Sequence, residues 1–542
     1  MIFTSPWGPL KNWPKRNGAQ YMVDSPFRES LDRPAFIDAP TGEVITIREQ
    51  RTAIRRLAAR FQDEYDLKKD DVVLLFGFNT IHTHTIHMAT LSVLAVVSPA
   101  NIMYNASELA HQASVVQPKL VIAADNKLDI AREAIRHAKI DTTVVSYSQM
   151  QNEIRHLIHN PSAREQAPID CDGTTQHAYY CFSSGTSGLP KGVITTHLNI
   201  ASNIGQQVET NSGMIRELHV FGAVLPMSHI YGLNSFVWLS QYRQVTCVVF
   251  PSFDFEMLLQ SIVKYRISML ALVPPIILLF AKHPLVAKYP DIKKYLKFVK
   301  SGAAPISSST IDLASSRLGN LDITQGYGLT ETSPVTHTTG WDEKGYDNST
   351  VGWLVPSCEA RLVDPDTGKD VGYNERGELW VRGPNIMAGY LKDEKSTKNT
   401  FSDDGEWFKT GDVAVVDKSG QFQIVDRIKE LIKSKGHQVA PAELEAILLS
   451  HPKVSDAAVV GVRDEDGVTE LPRAYAVLHA DANPRDVLSW FNKKVSKHKR
   501  FWGGMVVVDA IPKSPSGKIL RRFLRDKKEE PKNVIGMELA RL

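Results

Sequence analysis

Apolar runs of strand length alternate with amphipathic helical patterns in the first third of the chain. Strand patterns at residues 72–76, 120–123 and 144–145 are separated by helical patterns near residues 82–95 and 127–138. Strands that alternate with helices predict parallel sheets covered by helices. The first part of the chain is therefore expected to be a large α/β domain.

The pattern changes between residues 350 and 425. Short apolar segments at residues 359–363, 377–382 and 422–425 are separated by glycine and by Asp or Asn turn signals. Closely spaced short strands with such turns favour an antiparallel or barrel-like β subdomain.

A third pattern follows Asp426-Arg427. A charged stretch leads to a helical pattern at residues 444–450, and strand patterns follow near residues 456–462 and 474–479. This mixture, and its length, indicate a small α+β domain at the end of the chain.

Composition narrows the classes of function. The chain has 542 residues, of which 43% are hydrophobic and 23% charged, as in an ordinary soluble protein of at least two domains. The net charge of +3 gives no reason to expect nucleic acid as a partner. The four cysteines lie far apart and form no C-x-x-C motif, so we expect neither a disulfide framework nor a zinc site. No apolar run is long enough to span a bilayer, and the N-terminus does not resemble a signal peptide.

The most informative segment is a loop rich in hydroxyl groups and glycine. It reads Ser183-Ser184-Gly185-Thr186-Ser187-Gly188-Leu189-Pro190-Lys191-Gly192-Val193 and follows an apolar strand pattern. Glycines let backbone N–H groups approach phosphate oxygens, hydroxyls donate further hydrogen bonds, and a lysine adds positive charge. The loop lacks the Gly-Lys-Ser/Thr end of a Walker A motif, and the alternative is a plain Gly/Ser turn between two strands.

This loop resembles the phosphate-binding loop of the acyl-adenylate-forming superfamily, which includes acyl- and aryl-CoA synthetases, beetle luciferases and peptide-synthetase adenylation domains. Five more segments match that superfamily in order: Gly302-Ala303-Ala304-Pro305, Gln325-Gly326-Tyr327-Gly328-Leu329-Thr330-Glu331, Lys409-Thr410-Gly411-Asp412, Asp426-Arg427-Ile428-Lys429-Glu430 and Pro512-Lys513-Ser514-Pro515-Ser516-Gly517-Lys518. The resemblance implies an enzyme that uses ATP and Mg²⁺ to convert a carboxylic acid into an acyl-adenylate.

The resemblance also implies roles for individual residues. Lys191 would bind the β- and γ-phosphates, Glu331 would be a Mg²⁺ ligand, and Asp412 would accept the ribose hydroxyls. Tyr327 would pack on adenine, with residues 302–305 as the opposite wall. The full set of nucleotide- or CoA-contacting positions is Ser183, Ser184, Gly185, Thr186, Ser187, Lys191, Gln325, Gly326, Tyr327, Gly328, Thr330, Asp412, Arg427, Lys429, Lys433, Lys435, Gly436, Gln438 and Lys518.

Superfamily members rotate a C-terminal domain between two half-reactions. The resemblance places Lys518 near the acyl carboxylate and the α-phosphate during adenylation, where its charge would stabilise the transition state. It places Lys429 at the hinge, which predicts an N-terminal AMP-binding domain of residues 1–426, a hinge of residues 427–430, and a mobile C-terminal domain of residues 431–542.

The segment Pro226-Met227-Ser228-His229-Ile230-Tyr231-Gly232-Leu233-Asn234-Ser235 closely resembles a segment of 4-coumarate:CoA ligases. In that family the histidine gates the carboxylate end, and the tyrosine and serine line the aryl pocket. The resemblance therefore implies an acid:CoA ligase for an aryl or medium-chain acid, of a fungal peroxisomal type. Substrate positions would be His229, Tyr231, Ser235, Lys300, Gly302, Ala303, Pro334 and Val335.

Two residues depart from the family pattern. Ser252 stands in Pro251-Ser252-Phe253 where the family has a CoA-contacting lysine, and His437 stands where phenylalanine is usual. The basic run of residues 493–500 could replace the lost phosphate contact, or it could be a solvated helix face.

Three further features bear on location and alternatives. The terminal tripeptide Ala540-Arg541-Leu542 fits a peroxisomal signal, so we expect binding to the peroxisomal import receptor, with the cytoplasm as the alternative location. His82, His84 and His87 invite a metal site, but they have no acidic partners. The alternative activities are a luciferase-like oxygenase, a fatty acyl-CoA synthetase, and a non-catalytic or carrier-loading protein.

Overall fold

The computed structural model describes residues 1–11, 13–27, 30–183, 189–211, 219–340, 345–434, 437–463, 470–514, 517–525, 531 and 533–536. Its strands form three sheets in the N-terminal part and a smaller sheet and a hairpin in the C-terminal part.

The first sheet has seven strands. In spatial order they are Gly389–Tyr390, Lys191–Thr196, His177–Ser183, Val96–Pro99, Val72–Phe76, Leu120–Ala123 and Thr143–Ser146. The last five pair in parallel, and the first two pair antiparallel at one edge. Every residue of Val72–Phe76 is buried, as expected for a strand covered by helices on both faces.

The second sheet has nine strands. In spatial order they are Trp353–Leu354, Val335–Thr338, Asp322–Gly328, Phe298–Ser301, Met269–Leu272, Val220–Ala223, Thr246–Val249, Pro34–Asp38 and Val44–Thr46. The six central strands are parallel, and antiparallel strands close both edges.

The third sheet has five antiparallel strands: Phe3–Thr4, Glu359–Val363, Gly377–Arg382, Phe408–Val416 and Phe422–Arg427. The antiparallel subdomain expected near residues 350–425 is therefore present. Its first strand comes from the N-terminus, a pairing that no local pattern indicates.

The C-terminal part contains the hairpin Ile432–Ser434 with His437–Val439, and a sheet of Val454–Arg463, Glu470–Leu478, Met505–Val507 and Val534–Ile535. Its own hydrophobic core includes Leu444, Val459 and Phe491, all fully buried. The predicted strands at residues 456–462 and 474–479 are confirmed.

The α-helices of six residues or more are Gly18–Val23, Ile47–Asp63, Thr83–Ser92, Ala106–Val116, Leu128–Ala138, Tyr147–His159, His197–Thr210, Phe255–Lys264, Pro274–Lys282, Ser308–Arg317, Glu394–Thr400, Pro441–Leu449 and Pro484–Lys494. The segment Leu233–Leu239 is a π-helix between the short helices Ile230–Gly232 and Ser240–Tyr242. Shorter helices are Asp125–Lys127, Pro284–Lys288, Ile292–Tyr295, Thr330–Thr332, Lys497–Lys499 and Arg522–Arg525. No helix in the described ranges is long and apolar enough to cross a membrane.

Local chemistry explains where several helices begin. Thr196 caps the helix His197–Thr210, directly after the strand that starts at Lys191. Its hydroxyl accepts from the Asn199 N–H, and the Asn199 side chain accepts from the Thr196 N–H. The C-terminal helix predicted at residues 444–450, with residues 440–443 opening it, spans Pro441–Leu449, and proline is well suited to its first position.

Candidate active site

A cavity of about 860 Å³ lies where the carboxyl ends of parallel strands from the two large sheets meet the third sheet and the C-terminal part. Ser183 and Ser301 end strands at this cavity, and Gly326 to Gly328 line it from the next strand. Arg427, Lys429 and Lys518 reach it from the other side. The topology therefore brings residues more than 300 positions apart to one site.

Lys191 lies at the start of its strand and points into a polar corner of the cavity. Its Nζ donates to Ser396 Oγ at 2.5 Å and is 3.7 Å from Asp393 Oδ2. Nζ also lies over the Tyr390 ring, 5.1 Å from the centroid. Ser183 lines the same cavity, whereas Ser184, Gly185, Thr186 and Ser187 lie outside the described residues.

Glu331 lies on the short helix Thr330–Thr332 at the cavity wall. Its Oε1 accepts a hydrogen bond from the Tyr390 hydroxyl at 3.0 Å, and its carbonyl accepts one from the Met387 N–H at 2.9 Å. One carboxylate beside a phosphate site suits Mg²⁺, which takes most of its remaining ligands from phosphate and water.

Asp412 is only 3% exposed and pairs with two residues of the nucleotide-binding motifs. The Tyr327 hydroxyl donates to Oδ2 at 2.6 Å, and Arg427 Nε lies 3.2 Å from Oδ1. Asp412 and Arg427 are direct partners across adjacent antiparallel strands, so the sheet register sets this contact. Burial raises the pKa of Asp412, and the Arg427 charge opposes that shift.

Lys518 comes from the C-terminal part and is half-buried at the cavity. The Ser514 hydroxyl oxygen accepts from its backbone N–H at 3.1 Å. Burial lowers the pKa of Lys518 to about 8, helped by the neighbouring Arg427 charge, while Glu430, Asp412 and Glu331 act in the opposite direction.

His229 caps the short helix Ile230–Gly232 and lines the cavity. Its Nδ1 accepts from the Tyr231 N–H at 3.3 Å, so in the neutral ring Nε2 carries the proton. Burial, with a smaller contribution from the Lys518 charge, lowers the pKa of His229 to about 4. The imidazole is thus a neutral donor at physiological pH.

The predicted acyl-pocket residues also meet at this cavity. The Tyr231 hydroxyl donates to the Lys300 carbonyl at 3.0 Å, and the absence of a side chain at Gly302 leaves room for the Tyr231 ring, whose Cε1 would lie 2.9 Å from a Cβ there. Lys300 Nζ donates to Thr324 Oγ1 at 3.1 Å and to the Thr339 carbonyl at 2.8 Å. Burial lowers the pKa of Lys300 to about 7. The other lining positions are Ser235, Ala303, Gly326, Pro334 and Val335.

Some predicted positions lie elsewhere. Gln325 does not line the cavity, and its side-chain amide donates to the Asn348 carbonyl at 2.7 Å. Lys433 and Gln438 are partners in the register of the hairpin, and both are exposed and do not line the cavity. Lys435, Gly436 and Ala540-Arg541-Leu542 lie outside the described residues.

The three clustered histidines pack in the interior on and beside helix Thr83–Ser92. His84 Nδ1 is 2.6 Å from the Val237 carbonyl, and His87 Nδ1 is 3.3 Å from the Tyr179 hydroxyl. Across the described part of the chain, no three His, Cys, Asp or Glu side chains are arranged to hold a metal ion.

Sequence reasoning missed the residues that support the charged groups. Tyr390 contacts both Lys191 and Glu331, and Ser396 accepts from Lys191. Buried amides orient the neighbouring loop: Asn203 Oδ1 accepts from the Val335 N–H, and Asn203 Nδ2 donates to the Val335 carbonyl at 2.7 Å. None of these residues lies in a motif with an obvious chemical signature.

The chain belongs to the family of AMP-binding enzymes. The model of the family's main domain matches residues 24–391, and the model of the AMP-binding enzyme C-terminal domain matches residues 443–518. The resemblance to acyl-adenylate-forming enzymes is thereby confirmed, as is the expected fold class.

Two curated relatives are similar over nearly the whole chain. The 4-coumarate–CoA ligase CCL1 of Humulus lupulus is 35% identical over 512 residues, which cover 92% of this chain and 91% of the relative. The peroxisomal OPC-8:0-CoA ligase 1 of Arabidopsis thaliana is 35% identical over 501 residues, covering 91% and 90%.

A solved structure matches both domains together. ATP-bound MatB from Rhodopseudomonas palustris superposes with a TM-score of 0.83 at 26% identity, covering 94% of this chain and 98% of MatB. The apo form of MatB, with the same coverage and identity, gives a TM-score of 0.74. The overall arrangement of this chain is thus more similar to the ATP-bound form.

Proposed function

We propose that this protein is an AMP-forming acid:CoA ligase for an aryl or medium-chain carboxylic acid. The observation that carries the proposal is the meeting of Lys191, Glu331, His229 and Lys518 at one cavity. Asp412 lies behind that cavity, where it contacts the lining residues Tyr327 and Arg427. The ligase class expected from the motifs is confirmed by the AMP-binding family match and by relatives named as CoA ligases. ATP, Mg²⁺ and CoA are the cofactors and co-substrates of that class.

In the first half-reaction, a substrate carboxylate oxygen attacks the α-phosphorus of ATP, and the bond from that phosphorus to pyrophosphate breaks. The neutral His229 ring would orient the carboxylate by donating from Nε2. Lys518 would stabilise the charge that develops at the α-phosphate, and Lys191 the charge of the leaving pyrophosphate. Glu331 would hold Mg²⁺, which neutralises phosphate charge when bound.

Asp412 is proposed to hold the ribose. A buried carboxylate that already accepts from the Tyr327 hydroxyl and forms an ion pair with Arg427 keeps further acceptor capacity for ribose hydroxyls, which can donate to it. Burial raises the pKa of Asp412, and the neighbouring Arg427 charge opposes that shift and so favours the ionised form that accepts hydrogen bonds.

In the second half-reaction, the CoA sulfur attacks the acyl carbonyl carbon, the bond from that carbon to the AMP oxygen breaks, and the thiol proton is released. Lys518 has no role in this step and occupies the cavity, so the C-terminal domain would rotate at Lys429. Lys433 and Gln438, exposed in the present arrangement, would be among the residues that rotation brings to the nucleotide. Lys435 and Gly436 are proposed to act with them.

The acyl pocket favours an acid with an apolar body and a polar tip. Tyr231, Ser235, Pro334 and Val335 supply the walls, and Lys300 supplies a buried amine that already has two acceptors. A ring hydroxyl near Lys300 or Ser235 would find a partner there. The family's lost CoA contact at Ser252 is proposed to be replaced from the basic run of residues 493–500.

A panel of carboxylic acids tests this function. Hydroxycinnamates, benzoates and C6 to C18 fatty acids are each supplied with ATP, Mg²⁺ and CoA, and AMP release and thioester formation are measured. We expect aryl or medium-chain acids to give both products. Preference for long-chain acids would make the protein a fatty acyl-CoA synthetase, and turnover without thioester would contradict ligase activity. The relatives do not favour a luciferase-like activity.

We also propose peroxisomal import through Ala540-Arg541-Leu542. The support is the tripeptide itself and a relative that is peroxisomal by name. A fluorescent protein fused to the N-terminus should enter peroxisomes with the full sequence and stay in the cytoplasm when Leu542 is changed to Ser. The same location for both fusions would contradict the proposal.

A further inference from the structure

One helix of the N-terminal domain contacts the C-terminal part at both of its ends. The helix Pro274–Lys282 begins after the strand Met269–Leu272, which lies in the centre of the nine-stranded sheet. Ile277 and Phe280 of this helix are each 1% exposed, so the helix is firmly packed on the large domain. It can therefore act as a rigid support.

The N-terminal end of this helix supports the loop that carries Lys518. Gly517 has a φ of +79°, and a Cβ at this position would lie 3.0 Å from Val273 Cγ2 and 3.5 Å from Pro275 Cδ. The backbone next to Lys518 thus lies directly against the start of the helix. Glycine is needed there both for the positive φ and for the close approach.

The C-terminal end of the helix contacts a second element of the C-terminal part. Lys282 Nζ donates to the Val454 carbonyl at 3.0 Å and to the Leu449 carbonyl at 3.3 Å. Leu449 is the last residue of helix Pro441–Leu449, and Val454 begins the next strand. A cation is favoured at a helix C-terminus because the last carbonyls have no partner within the helix.

We propose that Lys282 is a positioning residue for adenylation, which binds the end of helix Pro441–Leu449 and so holds the C-terminal domain where Lys518 reaches the cavity. Lys282 lies in none of the matching motifs and does not line the cavity. It acts through Lys518, because its contacts exist only while the C-terminal domain is docked in this orientation.

Loss of Lys282 should affect the two half-reactions differently. The whole chain superposes better on ATP-bound MatB than on apo MatB. Rotation of the C-terminal domain for thioester formation would break the Lys282 contacts. Loss of Lys282 should therefore slow adenylation and leave the second half-reaction unchanged or faster.

The test uses the full chain with Lys282→Met, which keeps the length and apolar stem of the side chain but removes its donors. Adenylation is measured as acid-dependent exchange of pyrophosphate into ATP, and thioester formation is measured from a supplied acyl-adenylate and CoA. We expect a loss of roughly fivefold or more in the first rate, from two hydrogen bonds with a charged donor, and none in the second. Lys282→Arg, which retains the charge and can still donate to both carbonyls, should restore most of the first rate.

Lys288→Met is the matched control, because Lys288 is exposed on the short helix that follows. It should change neither rate. Equal losses in both half-reactions for Lys282→Met, or no loss in either, would overturn the positioning role.

This inference rests on the proposed ligase activity, so a second readout does not use turnover. Hydrogen exchange at residues 273–282 and 517–525 is compared with and without ATP. ATP should protect these segments in the wild type and clearly less in Lys282→Met. If Lys282→Met slows adenylation alone but ATP protects these segments as strongly as in the wild type, the docking explanation is overturned. If no acid supports turnover in the wild type, the proposed function fails, while exchange still decides whether Lys282 docks the domain.

Discussion

Lys518 offers the sharpest test of how the site works. Replacing it with alanine removes a positive charge that would face the α-phosphate. Two unit charges about 4 Å apart attract by about 4 kcal/mol at an effective dielectric constant near 20. Removing one such donor from a transition-state site costs about 10²- to 10³-fold in rate. We therefore expect Lys518→Ala to reduce adenylation by at least two orders of magnitude.

The second half-reaction should survive this substitution. Lys518 is needed only while phosphorus is under attack, so thioester formation from a supplied acyl-adenylate should stay within about threefold of wild type. Single-turnover measurements of each half-reaction provide the comparison. Arg522→Ala is the control, because Arg522 is an exposed cation four residues further on that does not line the cavity. Equal loss in both half-reactions would refute the role of Lys518.

The charge of Lys518 should also make the rate of adenylation depend on pH. Burial lowers the pKa of Lys518 to about 8, so raising the pH through that value removes the charge from the free enzyme. The kcat/KM for adenylation should therefore fall on the alkaline side with an apparent pKa near 8. Lys518→Arg keeps its charge at all accessible pH values, so whatever activity it retains should lack this alkaline loss. An identical pH profile in both proteins would assign the titration to another group.

Three further predictions concern other parts of the site. Lys429→Pro should leave adenylation nearly intact and slow thioester formation, because proline fixes φ at the hinge; single-turnover kinetics showing a selective adenylation defect would contradict this. Ser235→Leu should lower kcat/KM for hydroxycinnamates more than for small aliphatic acids. The lost hydrogen bond accounts for roughly three- to tenfold, and steric exclusion adds more. An equal effect on all acids would argue against an aryl pocket. Asp412→Asn should raise the KM for ATP about 10- to 100-fold, because it removes a charged acceptor and the ion-pair partner of Arg427. The KM for the acid should change little. An unchanged KM for ATP would remove Asp412 from the ribose site.

The fold class and the reaction class were both predictable from the amino-acid sequence. Alternation of buried strands such as Val72–Phe76 with helices is visible in the local sequence, because burial of a strand on both faces requires apolar side chains at every position. The loop near Lys191 was identifiable because glycine, hydroxyl groups and a lysine together suit a phosphate site. The segment ending at Lys518 was identifiable from its resemblance to a motif of the acyl-adenylate-forming superfamily.

How these segments combine depends on contacts that form only in the folded protein. The contacts of Tyr390 with Lys191 and Glu331, and of Arg427 with Asp412, depend on sheet order and register, which join residues distant in sequence. Lys282 shows the same limit, since a lysine at the end of an apolar helix has no distinguishing pattern until another domain packs against it. The depressed pKa values of His229, Lys300 and Lys518 likewise arise from burial, which is a property of the whole fold and not of the neighbouring residues in the chain.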